Sequence, residues 1–246
     1  MPTFFVSSDA ITPPTIRISG PLLHHLRDSL RLQPGESLFL TDDHGTRYRT
    51  EVTHVTPQTI ESRIVESMPA PARTAPSVIL AQALLKGEKM DWVIQKATEL
   101  GVECIVPVHT KHGVVKIKPD RIEHQRARWQ KIALEAAQQS ERRTVPTIAE
   151  PTDLPRLFAS YSSATTRGIL SERTGAASLA AMPLPSDPEQ SIIVLVGPEG
   201  GWDREELHLA QEQGYQPLTL GTRILRAETA AIAAISVLQS RLGELG

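Results

Sequence analysis

The stretch IIVLVGPEGGWDREEL, residues 192–207, decides the fold of the second half of the chain. Its first five residues are apolar and have the length of a buried strand, and a glycine-rich loop connects them directly to a helical pattern. Asp203 and Glu206 have the spacing of a capping box, which marks the start of the helix. Loops at the carboxyl ends of parallel strands are where α/β proteins bind ligands, so this loop is a candidate binding site.

A second stretch, LGTRILRAETAA at residues 220–231, also joins a predicted strand to a predicted helix. The helix that follows is rich in alanine, whose small side chain permits close packing against a neighbouring element. Arg226 and Glu228 stand at the start of this helix. Two interpretations stay open for them, a capping pair and a catalytic pair.

Strand and helix patterns alternate outward from these two loops, from residue 78 to residue 242. This alternation predicts a mostly parallel sheet covered by helices, the α/β class. The segment 176–190, which contains three prolines, is predicted to be a flexible loop. The predicted strands are 78–84, 104–108, 168–170, 192–196 and 217–220, and the predicted helices are 89–100, 120–140, 154–161, 204–213 and 227–242.

The first 68 residues have a different organisation. Five short strand patterns, separated by turn formers, predict a small β-barrel, with one helix at 21–30. The prolines and alanines of residues 68–77 suit a stiff spacer. We therefore predict two domains, 1–70 and 71–246. The predicted strands of the first are 4–6, 16–18, 37–40, 48–55 and 60–65.

The composition of the 246 residues is that of an ordinary folded protein, with 40% hydrophobic and 22% charged residues. No apolar run approaches the roughly 18 residues that a membrane-spanning helix needs. The single cysteine, Cys104, cannot form an internal disulfide, and the eight histidines have no metal-binding pattern. We therefore expect a cytoplasmic protein without a membrane segment and without a metal.

Charge is distributed unevenly although the net charge is only −2. Residues 109–143 contain nine Lys or Arg and four acidic residues, a local charge of +5. On the predicted helix 120–140, Arg121, Arg128 and Lys131 fall opposite the apolar face, and Arg142 and Arg143 follow its end. These five residues are candidate RNA contacts, although an ordinary solvated helix face gives the same pattern.

The glycine-rich loop contains acidic residues that we expect to repel a nucleotide phosphate, namely Glu199, Asp203, Glu205 and Glu206. The loop also lacks the glycine spacing of dinucleotide-binding and P-loop proteins. S-adenosylmethionine (SAM), an adenosine compound with a sulfonium and no phosphate, fits this charge better. A glycine-rich turn without any ligand stays an open alternative.

Four stretches carry a resemblance to a known family: residues 80–102 (LAQALLKGEKMDWVIQKATELGV), 139–148 (QSERRTVPTI), 195–201 (LVGPEGG) and 220–231. In this order they resemble the RsmE family, the 16S rRNA uridine-N3 methyltransferases of the SPOUT (trefoil-knot) superfamily. The resemblance implies an N-terminal PUA-like RNA-binding β-barrel, a C-terminal α/β trefoil-knot domain and a homodimer. It implies SAM as cofactor and 16S rRNA as partner. His112 and Gly113 depart from the family pattern, which has Arg and Ser there.

The resemblance also implies which residues hold the cofactor, whereas the catalytic roles are our hypothesis from the place of charged residues at the two glycine-rich loops. We expect Arg226 to stabilise charge on a uracil carbonyl, while Glu228 or Glu199 helps to remove the N3 proton. Two rival hypotheses remain, a non-catalytic rRNA-binding assembly factor and a nucleotide-dependent enzyme on an ordinary doubly wound sheet. The predicted cofactor-binding residues are Leu170, Glu172, Leu195, Gly197, Glu199, Gly200, Gly201, Leu220, Gly221, Ile224, Leu225 and Arg226.

Overall fold

The structure is a computed structural model that describes residues 3–171 and 176–245. The chain divides into two compact units. The first contains Met1–Ala72 and Ala137–Thr144, and the second contains Arg73–Ala136 and Val145–Gly246. The boundary lies two residues from the one expected from the proline-rich spacer. Residues 137–144, which we placed in the second domain, lie in the first unit because the Arg143 side chain hydrogen-bonds backbone carbonyls there.

The first unit is a six-stranded mixed sheet in the order β1-β4-β5-β6-β3-β2. β1 pairs with β4 in parallel and the other pairs are antiparallel. Register shifts interrupt the pairing of β5 with β6 at two places, which is the usual way in which a sheet bends toward a barrel. Its strands are β1 (Thr3–Phe5), β2 (Ile11–Thr12), β3 (Thr15–Ile18), β4 (Ser37–Thr41), β5 (Arg47–Val55) and β6 (Ile60–Met68).

The helix of the first unit, α1, spans Gly20–His24 and continues as a π-helical turn over His25–Ser29. It places the fully buried Leu26 against the apolar side chains of the sheet, among them Ile16, Leu40 and Ile60. The sequence pattern predicted this helix as one element over 21–30. Leu22, Leu23 and Leu26 lie in or against the core, whereas Leu30 is 47% exposed, so the helical spacing of the leucines was a correct signal for all but the last of them.

The second unit is a seven-stranded sheet in the order β11-β13-β10-β12-β7-β8-β9, in which every pairing is parallel. This confirms the predicted α/β class. Its strands are β7 (Ser77–Ala83), β8 (Cys104–Val108), β9 (Thr147–Ile148), β10 (Thr166–Leu170), β11 (Ala177–Ser178), β12 (Ser191–Val196) and β13 (Gln216–Thr219). Its helices are α2 (Lys89–Glu99), α3 (Ile122–Gln139, whose last three residues belong to the first unit), α4 (Leu154–Ser160), α5 (Arg204–Glu212) and α6 (Ala227–Arg241).

Helices cover both faces of this sheet. Along β12, Val194 and Val196 belong to the apolar cluster that contains residues of α2, α3 and α6, whereas Ile193 and Leu195 belong to the cluster that contains residues of α4 and α5. Successive side chains of a strand point to opposite faces, so a strand buried on both faces is apolar at every position. This explains the uninterrupted apolar run at residues 192–196.

The interpretation of residues 176–190 as a flexible loop is wrong for its first half. Leu179 and Met182 are almost completely buried in the core of the second unit. A 3-10 turn spans Leu179–Ala181, and Arg241 of α6 donates a hydrogen bond to the Leu179 carbonyl at 3.0 Å. The sequence pattern did not reveal the buried side chains of Leu179 and Met182, because such a short strand and turn have no periodicity to detect.

The order of the strands positions the two glycine-rich loops. β12 and β13 are the two neighbours of β10, and all three strands run in the same direction. Their carboxyl ends therefore meet at one edge of the sheet. No helix among the described residues is long and apolar enough to cross a membrane. The predicted trefoil knot stays a prediction.

Candidate functional site

A cavity of about 570 Å³ opens at the carboxyl ends of β10, β12 and β13. This volume is in the usual range for a site that binds a small organic molecule. The loops that follow the three strands and the first turns of α2 and α6 form its walls. It is lined by Lys89, Leu170, Ser171, Val196, Gly197, Pro198, Glu199, Gly200, Gly201, Trp202, Leu207, Leu218, Thr219, Leu220, Gly221, Thr222, Arg223, Ile224, Leu225, Arg226, Ala227 and Ala230.

The first glycine-rich loop is packed around Trp202. The indole of Trp202 is buried and donates a hydrogen bond from Nε1 to the Leu170 carbonyl at 2.9 Å, which ties this loop to the end of β10. A Cβ at Gly197 would lie 3.0 Å from the same Nε1. Gly201 has a φ of +68°, a conformation that favours glycine. The loop therefore needs glycine for packing at one position and for backbone conformation at another.

The second loop, from Leu220 to Arg226, is more exposed. Gly221 has a φ of +122°, and the Thr219 hydroxyl bonds to both the amide and the carbonyl of Gly221. Arg226 is the N-cap of α6, with an extended backbone and no capping bond from its side chain. The Arg226 side chain is exposed at the cavity, and it makes no hydrogen bond or ion pair with any of the described residues. Its guanidinium is therefore placed to meet a ligand.

Lys89 connects the two loops through their carboxylates. Its Nζ lies 3.1 Å from Oε1 of Glu199 and 3.6 Å from Oε2 of Glu228. The hydrogen bond to Glu199 raises the pKa of Lys89, so the ammonium stays charged. Glu228 is the more buried carboxylate, and no hydrogen bond to its Oε2 is found within the described residues. Within the described residues, Glu228 thus pairs with Lys89 and not with Arg226, and the absence of a capping bond from the Arg226 side chain disfavours the capping-pair interpretation.

Glu199 is held firmly in its ionised form. Its burial opposes ionisation, but hydrogen bonds from its own amide, from the Lys89 side chain and from the Lys86 amide outweigh this effect and lower the pKa of Glu199. A carboxylate with a lowered pKa is a weak proton acceptor. Of the two carboxylates that the sequence suggested as a base, Glu199 is the less suitable.

The argument that acidic residues repel phosphate applies to only one of the four in the folded protein, because Asp203, Glu205 and Glu206 lie outside the cavity wall and have partners there, whereas Glu199 lines the cavity. Lys111 forms ion pairs with Asp203, at 3.2 Å, and with Glu205. The Glu206 side chain accepts the amides of Asp203 and Lys111. The only charged side chains in the cavity wall are those of Lys89, Glu199, Arg223 and Arg226, which leaves an excess of two positive charges among the described residues. The partners of the acidic residues lie about 90 residues away in sequence, so the pattern could not reveal them.

Comparison with known proteins identifies the chain. A family model described as an RNA methyltransferase domain matches residues 73–239, and one described as an RNA methyltransferase PUA domain matches residues 18–65. The chain belongs to the ribosomal RNA small subunit methyltransferase E family. A family member from Synechocystis is 33% identical over 96% of this chain and 77% of its own length. Another, from Bacillus subtilis, is 30% identical over 92% of this chain and 90% of its own length.

Solved structures agree with this assignment to the methyltransferase E family. A family member from Neisseria gonorrhoeae, bound to SAM, has a TM-score of 0.84, 31% identity, and coverage of 98% of each chain. A methyltransferase from Legionella pneumophila, in complex with the bound cofactor SAM, has a TM-score of 0.87, 30% identity, and coverage of 97% of each chain. The predicted fold class, an N-terminal PUA-like domain followed by a SPOUT α/β domain, is thereby confirmed.

The structure brings together most of the residues predicted to bind the cofactor in this family. Leu195 does not line the cavity, because its side chain points into the opposite core. Glu172 lies outside the described residues. The cavity wall contains Leu170, Gly197, Glu199, Gly200, Gly201, Leu220, Gly221, Ile224, Leu225 and Arg226.

Sequence reasoning missed several residues of the cavity wall. Lys89, Trp202 and Arg223 all carry polar groups that it did not assign to the site. Lys89 lies in the stretch 80–102 and Arg223 in the stretch 220–231. Both stretches carry the family resemblance, so both residues could have been chosen as site candidates from the sequence. Trp202 lies in the quoted stretch 192–207, but its residue type alone gave no indication that it lines the cavity.

The predicted RNA-contacting residues differ in their surroundings. Arg121 and Lys131 are exposed on α3, and Arg142 is partly buried. Arg128 forms a two-pronged ion pair with Asp91 of α2. Arg143 donates to the backbone carbonyls of the first unit. Among residues 3–171 and 176–245, no group of three His, Cys, Asp or Glu side chains is placed to hold a metal ion.

Proposed function

We propose that this protein methylates N3 of a uridine in 16S rRNA with SAM as the methyl donor, and that it acts as a homodimer in the cytoplasm. The observation that carries the proposal is the cavity at the carboxyl ends of β10, β12 and β13, inside the region that matches the RNA methyltransferase domain. Relatives of about 30% identity over nearly the whole chain were solved with SAM bound.

The residues of the cavity fit SAM. Leu170, Leu220 and Leu225 offer apolar surface for an adenine ring, and the two glycine-containing loops offer backbone amides and carbonyls. Ala227 and Ala230 keep the wall formed by α6 open, because their side chains are small. When bound, SAM would supply a sulfonium methyl group for in-line transfer to a nitrogen, with the thioether S-adenosylhomocysteine as the leaving group.

The protein's own side chains then act on the target base. Arg226, exposed at the cavity, is the proposed donor to a uracil carbonyl on which negative charge develops as N3 loses its proton. Glu228 is the proposed proton acceptor, because its Oε2 faces Lys89 beyond hydrogen-bond distance, at 3.6 Å, while Glu199 is committed to two closer partners. We assign Lys89 the task of holding both carboxylates in place.

RNA affinity is proposed to come from the first domain, residues 1–70, and from the exposed cations of the second. The family models support this division, since the PUA-domain match lies within the first 70 residues. Arg121, Lys131 and Arg223 are exposed cations that are proposed to contact RNA phosphates. The non-catalytic alternative loses its support, because the relatives that span nearly the whole chain are methyltransferases.

Replacement of Arg226 by Ala tests the proposal. We expect methylation of 16S rRNA to fall by roughly 10²- to 10³-fold, the loss typical of a removed charge-stabilising donor. The dissociation constant of SAM, measured by calorimetry, should change far less. Methylation is measured by mass mapping of treated rRNA, which also identifies the modified base.

Controls make this result specific. Arg156→Ala removes an exposed arginine of α4 that pairs only with Asp153 among the described residues, and it should leave methylation unchanged. Glu228→Gln should reduce methylation without abolishing SAM binding. Equal losses of SAM binding and methylation in Arg226→Ala would give Arg226 a cofactor-binding role instead. Transfer of a methyl group to a base other than uridine would contradict the proposed substrate.

A further inference from the structure

We propose that His112, assisted by Lys111, positions the glycine-rich loop of the cofactor site. His112 lies in the loop between β8 and α3 and does not line the cavity. Its Nδ1 lies 3.2 Å from the Gly200 carbonyl and 3.2 Å from the Gly201 carbonyl. Both glycines line the cavity, so His112 contacts the outer side of a loop whose inner side faces the ligand.

The partners of the imidazole determine which nitrogen donates. Carbonyl oxygens only accept hydrogen bonds, so Nδ1 must carry a proton to bond to Gly200 and Gly201. The other nitrogen, Nε2, lies 3.7 Å from Oδ2 of Asp203, an ion-pair distance rather than a hydrogen bond. Both nitrogens thus face acceptors, and all three acceptors belong to the loop and the helix start that follow β12.

Steric contact and Lys111 add to this arrangement. A Cβ at Gly200 would lie 3.1 Å from Cβ of His112, so the two backbones already approach closely. The Lys111 amide donates to Oε1 of Glu206 at 2.8 Å, while its ammonium pairs with Asp203 and Glu205. Two neighbouring residues therefore hold the loop through its carbonyls and through the first turn of α5.

The consequence for binding is preorganisation. A glycine-rich loop has many accessible backbone conformations, and a ligand that must order such a loop binds more weakly. A loop fixed from its outer side avoids that cost. This inference rests on the proposed function for its effect on SAM, whereas the effect on loop order holds without any ligand.

Two measurements on the full-length protein test the inference. Hydrogen exchange of the ligand-free protein reports on the amides of residues 199–203, with the amides of β7 as the internal reference. The dissociation constant and KM for SAM report on binding, and kcat at saturating SAM reports on chemistry. The variants are His112→Ala, His112→Asn and the control His208→Ala, which removes an exposed histidine of α5 that pairs with Glu212.

In His112→Ala we expect faster exchange at residues 199–203 only, and on the order of tenfold weaker SAM binding with little change in kcat. His112→Asn keeps an N–H near the position of Nδ1, so it should restore most of the affinity. His208→Ala should match the original protein in both measurements.

Unchanged exchange at residues 199–203 in His112→Ala, or an equal rise throughout β7, would overturn the positioning role of His112. Failure of the unaltered protein to bind SAM would instead contradict the proposed function, and the exchange measurement would still decide the role of His112. If His112→Asn were as impaired as His112→Ala, the positioning role of His112 would also be contradicted. The hydrogen bond from the side chain would then not be the cause of the loop order.

Discussion

At the scale of single residues, the cofactor site depends on close packing behind its glycines. Gly197 leaves the space that the indole of Trp202 fills, and this indole is fixed by its hydrogen bond to the Leu170 carbonyl. The first glycine of the loop therefore has a packing role, while Gly201 has a conformational one. One loop thus uses two different properties of glycine at positions four residues apart.

Gly197→Ala should weaken SAM binding and lower the free energy of unfolding by about 1–3 kcal/mol, the usual cost of overpacking. The new Cβ would lie 3.0 Å from Nε1 of Trp202, and the buried, hydrogen-bonded indole has little freedom to move. Urea unfolding and calorimetry measure the two effects. In the double variant with Trp202→Phe, which removes Nε1, the substitution at Gly197 should cost less. Purely additive effects would contradict this explanation.

The positions of the candidate site residues were predictable only in part at this scale. The two loops could be located because glycine clusters between a strand and a helix are visible in the sequence. Their electrostatics could not be predicted, because Lys111, which pairs with both Asp203 and Glu205, is 92 and 94 residues away from them in sequence. The distance between Lys89 and Glu228 is likewise a result of the fold.

At the scale of helices and strands, hydrophobic periodicity predicted every longer element. Strand β8 has the predicted bounds, and helix α6 ends one residue before the predicted end. Residues 177–182 were missed, because a two-residue strand and one 3-10 turn are too short for a period of 2.0 or 3.6 residues to develop. The side chains of Leu179 and Met182 in this segment are nonetheless almost completely buried.

Leu179→Ala tests whether this short segment contributes to stability. The Leu179 side chain is 1% exposed, so we expect a loss of about 2–5 kcal/mol in the free energy of unfolding, as for other buried leucines. Chemical denaturation measures this loss. Ser186→Ala, at an exposed position of the loop 176–190, is the matched control and should leave the free energy of unfolding almost unchanged. A loss below about 0.5 kcal/mol for Leu179→Ala would restore the flexible-loop interpretation.

At the scale of the whole molecule, the net charge of −2 does not show that the arginines of the basic segment have different surroundings. Arg143, from the basic segment, donates to the carbonyls of Met68 and Pro69 at 2.9 and 3.0 Å. Arg121, from the same segment, is exposed. The sequence count treats these two residues alike, and only the fold distinguishes a cation bound to backbone carbonyls from one that is exposed to solvent.

Arg143→Ala should lower the free energy of unfolding by about 1–3 kcal/mol, because backbone carbonyls lose a charged donor. Arg121→Ala should leave stability unchanged and weaken rRNA binding, with a smaller dependence of affinity on salt concentration. Urea unfolding and RNA titrations at several salt concentrations separate the two outcomes. If both variants lost only RNA affinity, the structural role of Arg143 would be refuted.

The first unit is built from two separate pieces of polypeptide, Met1–Ala72 and Ala137–Thr144. A shortened protein that stops at residue 72 would lack the Arg143 guanidinium and the Glu141 carbonyl that accepts from Arg47. Any attempt to graft this RNA-binding module onto another enzyme must therefore transplant both pieces, and an exchange made at the proline-rich linker alone would deliver an incomplete one.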